Sequence, residues 1–180
     1  PTKIVSKDLL KTAIPASTGQ AITAVGFIIM NKIIVNYGTE TVAAFSVGNR
    51  ISSLILHPVM AIGGVLAAYI GQNIGNANEE RARESFHKAM ILSVGIMVLL
   101  STGLMFLRAP IAGIFLDSDP DTLALAVKYL FFLLVGLPLM AIFQTFIGAF
   151  NGTGTTKYTF IVSVARLWLL RIPLILVFRQ

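Results

Sequence analysis

The sequence contains no cysteine, and only 8 of its 180 residues are acidic. Without cysteine the chain can form neither a disulfide framework nor a thiolate metal site. Each acidic residue can be placed at the end of a long apolar stretch or in a connection between two of them. Because a cation-coupled pump normally carries a carboxylate inside the membrane, either the chain is not such a pump or the coupling acid belongs to another part of the molecule.

Sequence motifs of enzymes are also missing. The chain has no pair of metal-binding histidines at helical spacing, no nucleophile elbow, no Walker loop and no paired carboxylates in an apolar stretch. The segment from Gly71 to Gly75 superficially resembles a phosphate loop, but it lacks the lysine that such a loop requires. We therefore expect no enzymatic activity, no catalytic residue, no bound cofactor and no metal site.

The 14 lysines and arginines, which contribute to a net charge of +6, do not form a nucleic-acid surface. They are scattered between apolar stretches and make no basic patch interleaved with aromatic residues, so no nucleic-acid partner is expected. No short apolar region followed by small residues precedes the first long stretch, and a cleavable signal peptide is not expected. The chain begins at Pro1 without an initiator methionine, and we expect it to be a piece of a longer protein.

Apolar residues dominate the chain: 56% of it is hydrophobic and 12% is charged, whereas charged residues make up about a quarter of a soluble protein. They form long stretches, each close to the roughly 20 residues that cross a bilayer as an α-helix. Five such stretches cover about residues 14–35, 42–70, 89–107, 122–150 and 158–178. The sequence therefore predicts an all-α membrane protein, a polytopic transmembrane helix bundle of five spans in a lipid bilayer.

Basic residues favour one side of the predicted bundle. Because successive connections between spans lie on opposite sides of the membrane, each charge can be assigned to a side. One side receives Lys3, Lys7, Lys11, Arg81, Arg83, Lys88 and Lys157, and the other receives Lys32, Arg108, Arg179 and three aspartates. The positive-inside rule places the first side in the cytoplasm. We predict a multi-pass protein of the plasma or inner membrane whose N-terminal end is cytoplasmic.

The second span carries the most informative polar pattern. At 100° per residue, one sector of roughly 100° contains Ser46, Asn49, Arg50, Ser53, His57 and Gly64. An arginine that faces lipid near mid-helix costs at least about 2.5 kcal/mol, so Arg50 is expected to face protein or a water-filled cavity. Two interpretations stay open for it, a role in a pathway and structural bonding to neighbouring helices. His57 is either a proton-responsive group or a partner for a backbone carbonyl that Pro58 leaves free.

Three other spans repeat this pattern. The first span aligns Gln20, Thr23, Phe27 and Asn31, the fourth aligns Gln144, Gly148 and Asn151, and the fifth aligns Thr159, Ser163 and Arg166. At α-helical spacing Arg171 points away from Arg166. Small residues on these faces also serve close helix packing, which is the commoner role of residues such as Gly64 and Gly148. The side chains predicted to line a substrate cavity or a gate are Gln20, Asn31, Asn49, Arg50, His57 and Gln144.

Several blocks of the chain resemble the multidrug and toxic compound extrusion (MATE) transporters. The block G-N-R-I-S-S-L at 48–54, followed by Pro58 and by G-Q-N-I-G at 71–75, is similar to a helix and the following cytoplasmic loop of that family. The blocks F-N-G-T-G-T-T at 150–156 and R-L-W-L-L-R-I-P at 166–173 are similar to the turn after the tenth family helix and to the eleventh helix. The resemblance runs over essentially the whole chain.

This resemblance implies two six-helix lobes related by a pseudo-twofold axis, of which the chain matches the seventh to the eleventh helix. The N-terminal lobe and the last helix would then be absent from it. The resemblance also implies a secondary active efflux transporter, a cation-coupled antiporter that exports amphipathic, often cationic drugs or metabolites by alternating access. Some family members bind the coupling ion at carboxylates of the seventh and tenth helices, and residues 20–31 and 134–150 contain none. The site for a coupling sodium ion or proton is therefore expected in the missing N-terminal lobe.

Two other functions stay open. A flippase of the same superfamily, which moves a lipid-linked precursor, would be favoured by a cavity rich in arginine, and Arg50 and Arg166 supply two such side chains. A non-transporting membrane subunit would use its polar stripes only to hold helices together.

Overall fold

The structure is a computed structural model that describes residues 3–116 and 120–173, without the side chains of 3–9, 11, 12, 15, 16, 20 and 170. All regular secondary structure in these residues is helical. Helix α1 covers Lys3–Val35, α2 covers Thr39–Gly75, α3 covers Glu79–Phe115 and α4 covers Pro120–Gly152. The last helix begins as α5, Thr156–Val164, and continues as a π-helical segment, Ala165–Arg171. The predicted all-α bundle is confirmed.

Within residues 3–116 and 120–173, four helices are long and apolar enough to cross a membrane, namely Ser17–Val35 within α1 and the whole of α2, α3 and α4. A helix of 37 residues, such as α2 or α3, is about 55 Å long, whereas the hydrocarbon core is about 30 Å thick. These two helices therefore extend past the core or cross it at a tilt. The predicted fifth span is described only as far as Pro173, and its residues 174–178 lie outside the described part.

Short turns reverse the chain between these helices. The turns at 36–38, 76–78 and 153–155 each contain one residue with positive φ, namely Gly38 at 98°, Ala77 at 54° and Gly154 at 72°. Three-residue turns place consecutive helices antiparallel. Asn78 ends the second turn and caps α3, because its Oδ1 accepts a hydrogen bond from the Arg81 amide at 3.0 Å. The hydrophilic stretch after α2 is thus mostly an exposed first part of α3.

The main hydrophobic core lies between α2, α3 and α4. The interface of α2 with α4 is the most extensive in the described residues, and α3 packs against both. Val59 of α2, Met97 of α3 and Leu134 of α4 are fully or almost fully buried in it. α1 lies apart from this core and packs mainly against α5.

Helices α2 and α4 approach each other through small residues. Gly63, Ala67 and Gly71 recur every four residues on α2, facing Gln144, Gly148 and Gly152 at the same spacing on α4. A Cβ atom built on Gly148 would lie 2.5 Å from the carbonyl oxygen of Gly63. A Cβ atom on Gly152 would lie 2.6 Å from the carbonyl oxygen of Ala67. The two backbones are therefore in direct contact, as in other crossings of membrane helices built on small residues.

The close contact between α2 and α4 distinguishes Gly64 from Gly148, for which the sequence predicts the same packing role. Gly148 has the packing role that its position predicts, because no larger residue fits there. Gly64 lies on the exposed side of α2, and a Cβ atom built on it would meet nothing within 4 Å. Helix packing within the described bundle therefore does not explain Gly64.

The pairing of α1 with the last helix also depends on glycine. A Cβ atom on Gly26 would lie 2.2 Å from a methyl carbon of Leu167, and one on Gly19 would lie 3.1 Å from a ring carbon of Phe160. The indole Nε1 of Trp168 donates a hydrogen bond of 3.4 Å to the carbonyl of Ile22. Because α1 contacts α2 only sparsely, a cleft remains between this pair and the main core.

Replacing Gly148 with alanine should destabilise the full-length protein by about 1 to 3 kcal/mol, the usual cost of overpacking. The added methyl group would collide with a facing backbone rather than with a movable side chain. The midpoint of unfolding of the purified protein in a dodecyl sulfate titration measures the effect. Gly136→Ala on the same helix is the matched control, because a Cβ atom there meets nothing within 4 Å. Equal midpoints for the two variants would contradict the close crossing.

Candidate functional site

Helix α2 presents three faces along its length. Ile51, Ile55 and Val59 lie on the face that is buried in the core. The predicted polar stripe lies on the roughly opposite face, where Ser46, Asn49, Arg50, Ser53 and His57 are all exposed. A third face is exposed and apolar, with Leu54 at 71% and Val65 at 59% exposure. The polar stripe therefore points away from the helices that hold α2, and it is separate from the surface suited to lipid.

The polar face of α2 is only partly satisfied by its own backbone. The hydroxyl groups of Ser46 and Ser53 donate hydrogen bonds of 2.7 and 2.8 Å to the carbonyls one turn earlier. Among the described residues, the side chains of Asn49 and Arg50 have no hydrogen-bond or ion-pair partner. A guanidinium group in a membrane span needs water or a polar partner. For Arg50 that water or partner must come from outside the described part of the chain.

Arg50 also lines a groove of about 250 Å³ between the beginning of α2 and the end of α3. Ala43, Ser46 and Val47 form one wall, and Phe115 and Leu116 form the other. Of the predicted site residues in the described ranges, Arg50 alone lines this groove.

His57 is held by the backbone of its own helix. Its Nδ1–H donates a hydrogen bond to the carbonyl oxygen of Ser53. Pro58, which has no amide hydrogen, leaves unpaired the carbonyl of Leu54 rather than that of Ser53. The histidine thus bonds the carbonyl next to the one that proline frees, and its exposed ring lies on the polar face.

The other predicted site residues lie on different helices. Asn31 is exposed near the end of α1, and Gln144 is half-buried where α4 crosses Gly63 of α2. Gln20 belongs to α1, but its side chain lies outside the described part. The structure therefore places Asn49, Arg50 and His57 on one face, and it does not bring Asn31 or Gln144 into contact with them.

Arg166, which the sequence prediction left out of the site, occupies an unusual position. Its guanidinium carbon lies 4.1 Å from the ring centroid of Phe143 on α4. Its Nη1 donates a hydrogen bond of 3.2 Å to the sulfur of Met140. The side chain is half-buried and is stabilised by stacking on an aromatic ring rather than by a carboxylate. Its place in the bundle depends on the packing of α4, which the sequence does not show.

The sequence predicts that Arg171 points away from Arg166. That prediction assumed α-helical spacing, but residues 165–171 form a π-helix, in which each turn closes between residues i and i+5. Arg171 follows Arg166 by five residues, about one π-helical turn, yet the two guanidinium groups contact rings on different helices, Phe143 of α4 for Arg166 and Phe27 of α1 for Arg171. Arg171 lines a cavity together with Tyr129 of α4, and its guanidinium carbon lies 5.8 Å from the ring centroid of Phe27.

The chemistry available in these places is that of recognition. The described ranges bring no three potential metal ligands together. What they do present is an exposed amide, guanidinium and imidazole on α2, and two arginines on the last helix, one stacked on the ring of Phe143 and one 5.8 Å from the ring centroid of Phe27. Such groups hold and orient a polar or charged molecule.

Comparison with known proteins accounts for this architecture. The MatE family matches residues 15–177. The chain is 27% identical to the FAD transporter of Shewanella oneidensis over 92% of its length and 36% of that protein. It is 25% identical to the probable multidrug resistance protein YpnP of Bacillus subtilis, covering 92% of the chain and 37% of that protein. It is 26% identical to the probable multidrug resistance protein NorM of Thermotoga maritima, covering 93% of the chain and 36% of that protein.

The chain thus spans little more than a third of the length of these curated relatives. Its resemblance to this group extends over nearly all of its own residues, as the blocks around Gly48, Gly71, Phe150 and Arg166 predict. The multi-pass helical bundle described above agrees with a membrane transport family. The chain belongs to the MatE family.

Proposed function

We propose that the full-length protein is a secondary active efflux transporter and that this chain supplies one wall of its substrate pathway. The exposed polar face of α2 is the observation that carries this proposal. Asn49 and Arg50 are too costly to place in lipid, so they face either a water-filled cleft or another part of the protein. In secondary transporters the substrate site lies between two repeats near the bilayer midplane. The partner of this face would be the N-terminal lobe of the same protein.

The names of the relatives bear on the cargo. The Bacillus and Thermotoga proteins are named for multidrug resistance, and the Shewanella protein is named for FAD, a molecule with an aromatic ring system and negative phosphates. All of these names fit an amphipathic small molecule. We propose export of amphipathic drugs or metabolites, including cationic ones whose countercharge the N-terminal lobe would supply.

The driving ion is proposed to bind outside this chain. No acidic residue of the sequence falls inside an apolar span, so a sodium ion or a proton would be exchanged at a carboxylate of the N-terminal lobe. Lysines and arginines are in excess at the start of α1, in the first part of α3 after the 76–78 turn, and at Lys157 after the 153–155 turn. This excess supports a cytoplasmic position for that end of the bundle. The protein would then sit in the plasma or inner membrane with its polar face open to either side in turn.

A lipid-linked precursor flippase is the second candidate function. It is favoured by the arginines in or near the spans, because Arg50, Arg166 and Arg171 have no carboxylate partner among the described residues. Guanidinium groups bind phosphates in a bidentate manner, which suits a pyrophosphate-linked lipid. The two candidates therefore differ in the cargo rather than in the alternating-access cycle.

Substituting Arg50 with glutamine in the full-length protein should lower cargo efflux about tenfold, the effect of losing one charged hydrogen bond to the substrate. The unfolding midpoint should stay close to that of the wild type, because Arg50 has no hydrogen-bond or ion-pair partner among the residues that the structure describes. Arg83→Gln, on the exposed first part of α3, is the matched control and should transport normally. An unfolding midpoint that falls together with the transport rate would instead favour a structural role for Arg50.

Reconstitution of the full-length protein in liposomes tests the function itself. A cationic dye such as ethidium should move against its gradient when a sodium or a proton gradient of opposite direction is imposed, and should stop when the gradient is collapsed. FAD and a fluorescent pyrophosphate-linked lipid serve as alternative cargoes in the same vesicles. Movement of the lipid alone would establish the flippase. Failure of all three cargoes to respond to either gradient would contradict the proposed function.

A further inference from the structure

A second cavity lies in the cleft between α1 and the main core, away from the polar face of α2. It has a volume of about 230 Å³ and is enclosed by α1, the beginnings of α2 and α4, and the π-helical segment. Apolar and aromatic side chains form most of its walls, among them Met30, Ile34 and Phe45. Its polar groups are few: the hydroxyl of Thr41, the phenol of Tyr129 and the guanidinium of Arg171.

Arg171 is the chemically decisive group in this cavity. Within the described ranges its guanidinium has no hydrogen bond and no ion pair, and its only aromatic contact is the distant ring of Phe27. The hydroxyl of Thr41 is directed to a carbonyl, since it donates a hydrogen bond of 3.1 Å to Tyr37. A half-buried cation with five unused donors, in a pocket that is otherwise apolar, attracts an anion.

The walls define the rest of the ligand. Tyr129 packs across Gly48, where a Cβ atom would lie 2.2 Å from its ring, and its ring centroid is 5.9 Å from that of Phe45. These two rings and Met30 offer a rigid apolar surface next to the positive charge. Drug-sized ligands occupy about 300 to 1,000 Å³, so the cavity fits a small ligand or one end of a larger one.

The position of the cavity suits an amphiphile. It lies near the ends of the helices, where the apolar core of a bilayer gives way to the interface. A molecule with an acidic head and an apolar body has the same polarity gradient. The π-helical segment adds a second reason, because irregular helical turns of this kind occur frequently at functional sites and this one aims Arg171 into the cavity.

From these observations we propose that the cavity between α1, α2, α4 and the π-helical segment binds an amphipathic anion. The carboxylate or phosphate head pairs with Arg171, and the apolar body lies against Met30, Phe45 and Tyr129. The head belongs either to a small organic acid or to an anionic lipid of the bilayer. Binding here does not require transport, so a protein that binds the anion but moves no cargo would overturn the proposed function and leave this site intact.

Sodium octanoate is the probe, added to the purified full-length protein in phosphatidylcholine nanodiscs. The apparent unfolding temperature, followed by circular dichroism, should rise with octanoate in a saturable manner, because a ligand of the folded state stabilises it. Octylammonium and octanol, which have the same chain and a positive or neutral head, should give a much smaller rise. Equal effects of the three compounds would overturn the proposal.

Variants locate the site. Arg171→Gln should raise about tenfold the octanoate concentration that gives half of the maximal rise in unfolding temperature. Arg171→Lys, which keeps the positive charge, should retain most of the wild-type affinity for octanoate. Arg108→Gln is the matched control, because Arg108 also lies near a ring, at 5.5 Å from Phe131, but lines neither cavity. An unchanged octanoate response in Arg171→Gln would overturn the proposal and leave Arg171 as a side chain that only reaches the membrane interface.

A further variant tests whether octanoate binds in this cavity if Arg171→Gln does not fold. Ile34→Trp keeps the charge and fills the cavity from α1, so it should abolish octanoate binding, whereas full retention would overturn the proposal. Phosphatidylglycerol in the nanodiscs then distinguishes the two sources of the head group. If it raises the octanoate requirement of the wild type but not of Arg171→Gln, the occupant is a lipid. If it has no effect, the occupant is a soluble acid.

Discussion

The direct contact between the backbones of α2 and α4 governs the rest of this structure. Gly148 and Gly152 can approach Gly63 and Ala67 only because they have no side chain. In lipid there is little hydrophobic drive for helices to associate, so close van der Waals packing of this kind supplies much of the attraction. The rotation of the first half of α2 about its own axis is set by the buried residues Ile51, Ile55 and Val59. Because these face the core, the polar residues about one half-turn away from them face outward.

This orientation of α2 explains how one helix can face both lipid and water. The exposed apolar residues of α2, such as Leu54, lie beside the polar stripe rather than within it. A helix held by glycines on one face can therefore present a lipid-compatible surface and a hydrophilic surface at the same time. In a protein of two lobes the hydrophilic surface would close against the other lobe, and the rocking of the lobes would expose it to each side in turn.

The sequence predicts the helical bundle well because the bilayer constrains it strongly. Apolar stretches of the right length have few alternatives to the α-helix in lipid. Apolarity marks the part of a helix inside the membrane, however, and not the helix itself. Helix α3 therefore begins at Glu79, ten residues before its apolar stretch, because Asn78 caps it in water.

The candidate site is predictable only in part, for a related reason. Asn49, Arg50 and His57 belong to one helix, and the periodicity of an α-helix suffices to place them together. Asn31 and Gln144 belong to other helices, and their distance from α2 depends on crossing geometry that one sequence does not reveal. The π-helical segment 165–171 is not predictable for a local reason, since a shift from i+4 to i+5 hydrogen bonding leaves no trace in a pattern of polar residues.

A scan of nitroxide labels through residues 46–57 of the full-length protein in liposomes tests this view of α2 most directly. Collision rates with a water-soluble nickel complex and with membrane-dissolved oxygen report the surroundings of each label. If α2 turns its polar face to a hydrated cleft, nickel collisions will peak at Ser46, Asn49, Ser53 and His57, and oxygen collisions will peak at Leu54. Oxygen maxima at the polar positions, without access for nickel, would contradict the account.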